Sequence, residues 1–221
     1  MALQRLFGPL VVFLLAALLP ARAADVGSIS GRVATPDGKG IADAVVFVQS
    51  LVATNSVAPK TEASAIMDQV DKTFVPGLLP IVVGTRVHFP NHDQIRHHVY
   101  SFSPAKTFEL PLYKGEDAPP VLFDKVGVVK IGCNIHDWMF GIILVLPTSH
   151  FTATREDGQF ALTDLQSGTY TLAVWHALSK LKPEETERTV QVGPAAARVA
   201  FTLPLAAEHR RPAMHGARAE P

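Results

Sequence analysis

One cysteine serves the whole chain, and it stands in Cys133-Asn134-Ile135-His136-Asp137-Trp138-Met139. A thiolate, an imidazole and a thioether thus fall within seven residues. A second imidazole-bearing cluster lies upstream, in Asn91-His92-Asp93-Gln94-Ile95-Arg96-His97-His98-Val99. Two His, one Cys and a weakly bound axial Met are the ligand set of a blue-copper site that passes single electrons. Thiolate, imidazole and thioether suit both copper oxidation states, so little need rearrange as the charge changes. Metal chemistry is the leading expectation from these residues.

Such a site needs elements that bring two distant segments together. The sequence reads as strands separated by turn residues. Ser28–Val33 leads into the turn Pro36-Asp37-Gly38-Lys39-Gly40, and Ala44–Val48 follows. Residues 52–64 are polar and turn-prone, a connector by composition. Further strands are expected at Ala65–Gln69, Leu78–Val83, Thr85–Phe89, His98–Phe102, Val121–Phe123, Val126–Ile131 and Gly141–Leu146. After Pro147 come Phe151–Thr154, Gln159–Leu162, Tyr170–Trp175, Thr189–Val192 and Arg198–Leu203. No stretch of ten residues or more holds a helical period. The expected class is all-β, with two small sandwiches rather than one.

The first residues have the form of an export signal. Met1–Arg5 carries one positive charge, Leu6–Leu19 is nearly all apolar, and Pro20-Ala21-Arg22-Ala23 offers a cleavage site after Ala23. The apolar run of 14 residues is short of the roughly 20 that span a bilayer. A signal over 1–23 leaves 198 residues, with 18 basic and 20 acidic side chains. That balance gives no footprint for nucleic acid. The expected location is the periplasm, with no stable membrane insertion after cleavage. There a lone thiol is exposed to oxidants and has no partner in the chain, and copper ligation protects it. The alternative is a buried Cys acting as a small hydrophobe. Residues 206–221, rich in Ala, Arg and Pro, read as a disordered tail whose His209, Met214 and His215 are solvated.

The segment 65–147 resembles a cupredoxin, the blue-copper fold of plastocyanin and amicyanin. The resemblance rests on Phe74-Val75-Pro76, Val82-Val83-Gly84-Thr85, Val87-His88-Phe89-Pro90-Asn91, the step His97-His98-Val99 and the short loop Cys133-x2-His136-x2-Met139. It implies a Greek-key sandwich holding one type 1 copper ion through His97, Cys133, His136 and Met139. Residues 26–50 and 149–204 resemble the two halves of a carboxypeptidase regulatory-like, transthyretin-like β-sandwich. The motifs are Ile29-Ser30-Gly31-Arg32-Val33, Gly40–Phe47, and Thr154–Leu162 with Leu165–Tyr170. The cupredoxin then sits in a loop of that sandwich, or the first hairpin pairs directly with the cupredoxin sheets. The whole is similar to a bacterial group labelled methylamine utilisation or plastocyanin-like proteins.

Alternation lets only one of His97 and His98 aim at a metal, and the resemblance assigns His97. His98 becomes a surface or supporting residue, and His88 and His92 an outward strand residue and a polar loop residue. Asn134 follows the thiol and is placed to bond across to the His97 loop or simply to take a turn. Asp137 and Trp138 depart from the Pro and apolar residue usual in related loops, and the carboxylate favours a basic partner. Tyr170–His176 reads as sandwich core. The expected function is a one-electron carrier between redox proteins, such as a c-type cytochrome or a periplasmic dehydrogenase. The alternative is periplasmic copper binding or delivery, which the extra His88, His92, His98 and the His- and Met-bearing tail would suit. A metal-free structural sandwich is the weakest reading. An enzyme is not expected: no open copper ligand set, second Cys or Ser/His/Asp pattern is present.

Overall fold

The computed structural model describes residues 26–52 and 63–206. The leader expected over 1–23, most of the connector and the tail beyond Ala206 lie outside them. The strands, in chain order, are β1 (Val26–Ala34), β2 (Val45–Val52), β3 (Ser64–Ile66), β4 (Asp68–Val70), β5 (Thr73–Val75) and β6 (Leu78–Val82). There follow β7 (Thr85–His88), β8 (His97–Ser103), β9 (Lys106–Tyr113), β10 (Val121–Phe123), β11 (Gly127–Cys133) and β12 (His136–Leu146). The chain ends with β13 (Phe151–Ala153), β14 (Gln159–Gln166), β15 (Gly168–Trp175), β16 (Arg188–Val192) and β17 (Ala197–Thr202). Among the described residues the only helical element is the 3-10 turn Pro183–Thr186, and no helix is long and apolar enough to cross a membrane. The protein is all-β.

Strands from the two ends of the chain make one sandwich. One sheet runs β14-β1-β17 and the other β13-β2-β15-β16. Alternation turns Ile29 and Val33 of β1 inward, against Val46 and Val48 of β2, Leu172 and Val174 of β15, and Phe201 of β17. Gly31, between the two inward β1 residues, is required by contact: a Cβ there would lie 1.8 Å from the Val199 carbonyl oxygen. The parallel β1–β17 pair closes the sheet only because that side chain is missing.

The middle of the chain builds a second body from the five-stranded sheet β6-β12-β11-β8-β9, the three-stranded sheet β10-β7-β3 and the hairpin β4-β5. Its core holds Met67, Phe74, Phe89, Val99, Phe123, Ile131, Ile143 and Val145. A third cluster joins the two bodies: Leu144 and Leu146 of β12 pack with Val45 and Phe47 of β2 and Ala173 of β15. Consecutive β12 residues therefore point into different cores. That double burial explains why Ile142-Ile143-Leu144-Val145-Leu146 is continuously apolar, a pattern of strands covered on both faces.

Several elements differ from the sequence reading: Thr73–Val75 is a strand, β12 begins at His136 rather than Gly141, and two further differences have a clear cause. Lys106–Tyr113 forms β9, although Pro111 breaks its pattern, because β9 is an edge strand and the missing N–H removes no ladder bond. Ala65–Gln69 is not one strand: β3 pairs parallel with β7 and β4 antiparallel with β5, so the chain changes sheet at the buried Met67.

Leu144 carries much of the junction between the two bodies. Leu144→Ala should lower stability by about 2–5 kcal/mol in denaturant unfolding of the metal-free protein. A loss below about 1 kcal/mol would mean that the shared cluster contributes little.

Candidate metal centre

The segment before β8 is shaped by buried amides. Asn91 Nδ2 donates to the Ile95 carbonyl at 2.9 Å and the Tyr113 carbonyl at 3.1 Å, while Asn91 Oδ1 accepts the Asp93 N–H at 3.0 Å. The six residues 91–96 thus fold around one side chain and deliver the chain to His97. Below them, Gln69 Nε2 donates to the Phe89 and Pro90 carbonyls at 3.2 and 3.1 Å and to Tyr113 Oη at 2.5 Å. The Tyr113 hydroxyl donates to the Phe89 carbonyl at 2.6 Å. His97 faces Tyr113 across β8 and β9 and is fully buried.

The thiol arrives from the other side. β11 ends on Cys133, β12 begins on His136, and the ladder shifts register between Gly132 and Cys133. The Asn134 N–H donates to the His98 carbonyl at 3.1 Å, pinning this turn to β8. Cys133 Sγ lies 3.6 Å from His97 Nδ1 and 3.6 Å from His136 Nδ1. The two imidazoles are 4.9 Å apart between centroids and inclined at 61°. Three residues beyond His136, β12 turns Met139 inward, where it is buried in the same core cluster as Cys133.

These spacings fit one ion. Bonds of about 2.3 Å to sulfur and 2.0 Å to nitrogen, at angles between tetrahedral and trigonal, put the donors roughly 3.5–3.7 Å apart. His97 Nε2 bonds Asp93 Oδ2 at 2.7 Å, so its Nδ1 lone pair is left for a metal. Burial favours the neutral, ligating form of His136, and the positive charge of Lys72 adds to it, so its pKa lies below the ordinary imidazole value. Burial alone would raise the Asp93 carboxyl; the bonds from His97 and from the Lys72 and Asp71 amides outweigh it and keep Asp93 ionised at a lowered pKa. Zinc sites are completed by Cys, His, carboxylate or water. A set of two imidazoles, a thiolate and a thioether is that of type 1 copper.

The structure brings together His97, Cys133 and His136 and buries Met139 in the core cluster that includes Cys133. His98 points to the opposite face, with Nε2 2.9 Å from Glu109 Oε1. His92 is exposed, its Nδ1 2.7 Å from Asp68 Oδ1, and His88 lies outward on β7. Asp137 and Trp138 are both exposed, and the Trp138 ring centroid is 5.2 Å from that of His136. Tyr170, Leu172, Ala173 and Val174 are buried in the sandwich cores. His209, Met214 and His215 lie outside the described residues. Sequence reasoning gave no role to Gln69, Asp93 or Tyr113. The one available signal was Asp93, four residues before His97 in a segment already rich in ligating types.

No family model and no curated protein matches the sequence. Among solved structures, a Cu-containing nitrite reductase from Thermus scotoductus SA-01 is similar at 28% identity and a TM-score of 0.36, over 43% of this chain and 25% of that one. A purple cupredoxin from Nitrosopumilus maritimus is similar at 28% identity and a TM-score of 0.33, over 38% of this chain and 98% of its own. An amicyanin variant in the reduced state gives 24% identity and a TM-score of 0.34, over 47% of this chain and 98% of its own. The chain therefore spans a quarter of the nitrite reductase and nearly all of the two small proteins.

Burial pushes the Tyr113 hydroxyl up to about 12, against the bond from Gln69. An unfolded tyrosine titrates near about 10, so the stability this hydroxyl confers is whole below that pH and is lost as pH rises to about 12. Tyr113→Phe should cost about 1–3 kcal/mol at neutral pH and flatten the alkaline limb of a plot of melting temperature against pH. An unchanged alkaline limb would contradict this assignment.

Proposed function

We propose that this chain is a periplasmic type 1 copper protein that carries single electrons between redox proteins. The observation that carries the reading is the Nδ1–Sγ–Nδ1 triad of His97, Cys133 and His136 at 3.6 Å separations. Met139 is the proposed axial ligand. Bound copper would supply a one-electron couple between Cu(I) and Cu(II).

The protein's contribution is to hold the four donors still. His97 is fixed by a buried polar frame, while Cys133, His136 and Met139 stand on the paired strands β11 and β12, so change of charge meets a rigid cage. His97, Cys133 and Met139 are buried, a shielded arrangement that supports electron transfer. His136 is the partly exposed ligand, bordered by the exposed Ile135 and Trp138. An electron is therefore expected to pass through its ring edge. A partner there meets an aromatic surface next to the Asp137 carboxylate, which suits a protein with basic groups around its own redox centre, such as a c-type cytochrome or a periplasmic dehydrogenase. Metal delivery is less well supported, because His92 and His98 are engaged by Asp68 and Glu109. The central body is proposed to be a cupredoxin unit carried in a loop of the terminal sandwich.

Adding Cu(II) to the protein lacking residues 1–23 should give one equivalent of an intense visible thiolate-to-copper charge-transfer band. Cys133→Ser should abolish it, and Met139→Leu should keep the band while shifting the reduction potential. A folded, copper-loaded sample without that band would refute the proposal.

A further inference from the structure

The β4–β5 hairpin turns through Asp71 and Lys72, which have φ values of 51° and 56°. Two successive left-handed residues make a tight turn that usually selects Asn-Gly or a similar pair. With side chains at both positions the conformation is strained and persists only where its surroundings impose it. Here one side chain does so. The Asp71 N–H donates to Asp93 Oδ1 at 2.7 Å and the Lys72 N–H to Asp93 Oδ2 at 2.8 Å. Successive backbone N–H groups of this kind form a concavity that holds an anion. The same Oδ2 lies 2.7 Å from His97 Nε2, and the Asp93 backbone is tied to Asn91 Oδ1.

We infer that Asp93 is a positioning residue for the metal ligand His97, and that the Asp71–Lys72 turn is the anchor through which it acts. As a statement about copper this rests on the function proposed above. The two amides fix the plane of the carboxylate, and that plane fixes the rotation of the imidazole and the nitrogen that carries its proton. Nδ1 is thereby aimed at the point between Cys133 and His136. A carboxylate accepting the outer N–H of a ligating imidazole also strengthens that ring as a donor and favours the more highly charged oxidation state. A hairpin with no ligand of its own thus acts on the metal centre.

The test compares Asp93→Asn with Asp68→Asn, which removes the same charge from neighbouring β4 without touching His97. Three readings are taken: hydrogen exchange of the Asp71 and Lys72 amides and the nitrogen shifts of His97 in metal-free protein, then copper loss to a chelator and reduction potential in loaded protein. In Asp93→Asn, exchange at both amides should rise at least about tenfold, His97 should lose its single Nε2–H tautomer, copper loss should accelerate about tenfold or more, and the potential should rise. Asp68→Asn should leave exchange and copper loss within about twofold of the parent. Equal effects of the two variants overturn the inference. So does freed turn amides with unchanged His97 shifts, which would make the clamp a matter of hairpin stability alone. If the parent forms no blue band, the copper reading falls, and the metal-free readings still decide whether Asp93 orients His97.

Discussion

A fully buried imidazole has to be held with its correct nitrogen facing a thiol that belongs to a different strand pair. Around His97 most of the unusual features of the central body find their reason. Gln69, Asn91 and Tyr113 are polar groups in an apolar core, costly unless satisfied, and they are spent on the carbonyls and amides of the segment that leads to His97. Asp93 then takes the outer nitrogen of the ring. The turn between Cys133 and His136 is short, so once β11 and β12 pair, those two side chains have little freedom left. The remaining freedom lies with His97, and the buried polar groups collect there.

The outer sandwich serves the same end from a distance. Without it, the outward face of β12 would expose Leu144 and Leu146 to water. With it, the strand that starts at His136 is gripped on both sides over its second half. Burying such side chains is worth about 1.5–3 kcal/mol each, shared between bodies whose own cores are modest. The paired ends of the chain, closed by the parallel β1–β17 contact, complete a sandwich into which the central body is set.

Much of this was legible in the sequence where a physical rule leaves few options. Period-two alternation gave the all-β class and most strands, and the Cys133–His136 spacing pointed to two side chains that the structure places together. Alternation also required His97 and His98 to diverge, and they do. Legibility failed where the deciding interaction joins residues far apart in the chain. β9 was hidden because Pro111 disrupts its pattern, and only its place at the sheet edge excuses the proline. Gln69 and Tyr113 are 44 residues apart, and neither type announces a partner. Asp93 was visible as a carboxylate near His97, but the amides that fix it belong to a hairpin that Asp-Lys does not advertise as a left-handed turn.

β12 runs from His136 of the candidate metal centre at one end to the junction of the two bodies at the other, a span of roughly 35 Å at the rise of an extended strand. The five residues Ile142–Leu146, buried at one end of it, and the exposed Asp137 and Trp138 at the other are segments of a single stiff rod. The contacts of Leu144 and Leu146 with the outer sandwich and the position of His136 thus belong to one continuous strand. In the copper-loaded protein proposed above, the visible band would report on a strand whose far end is held by a body the metal does not touch.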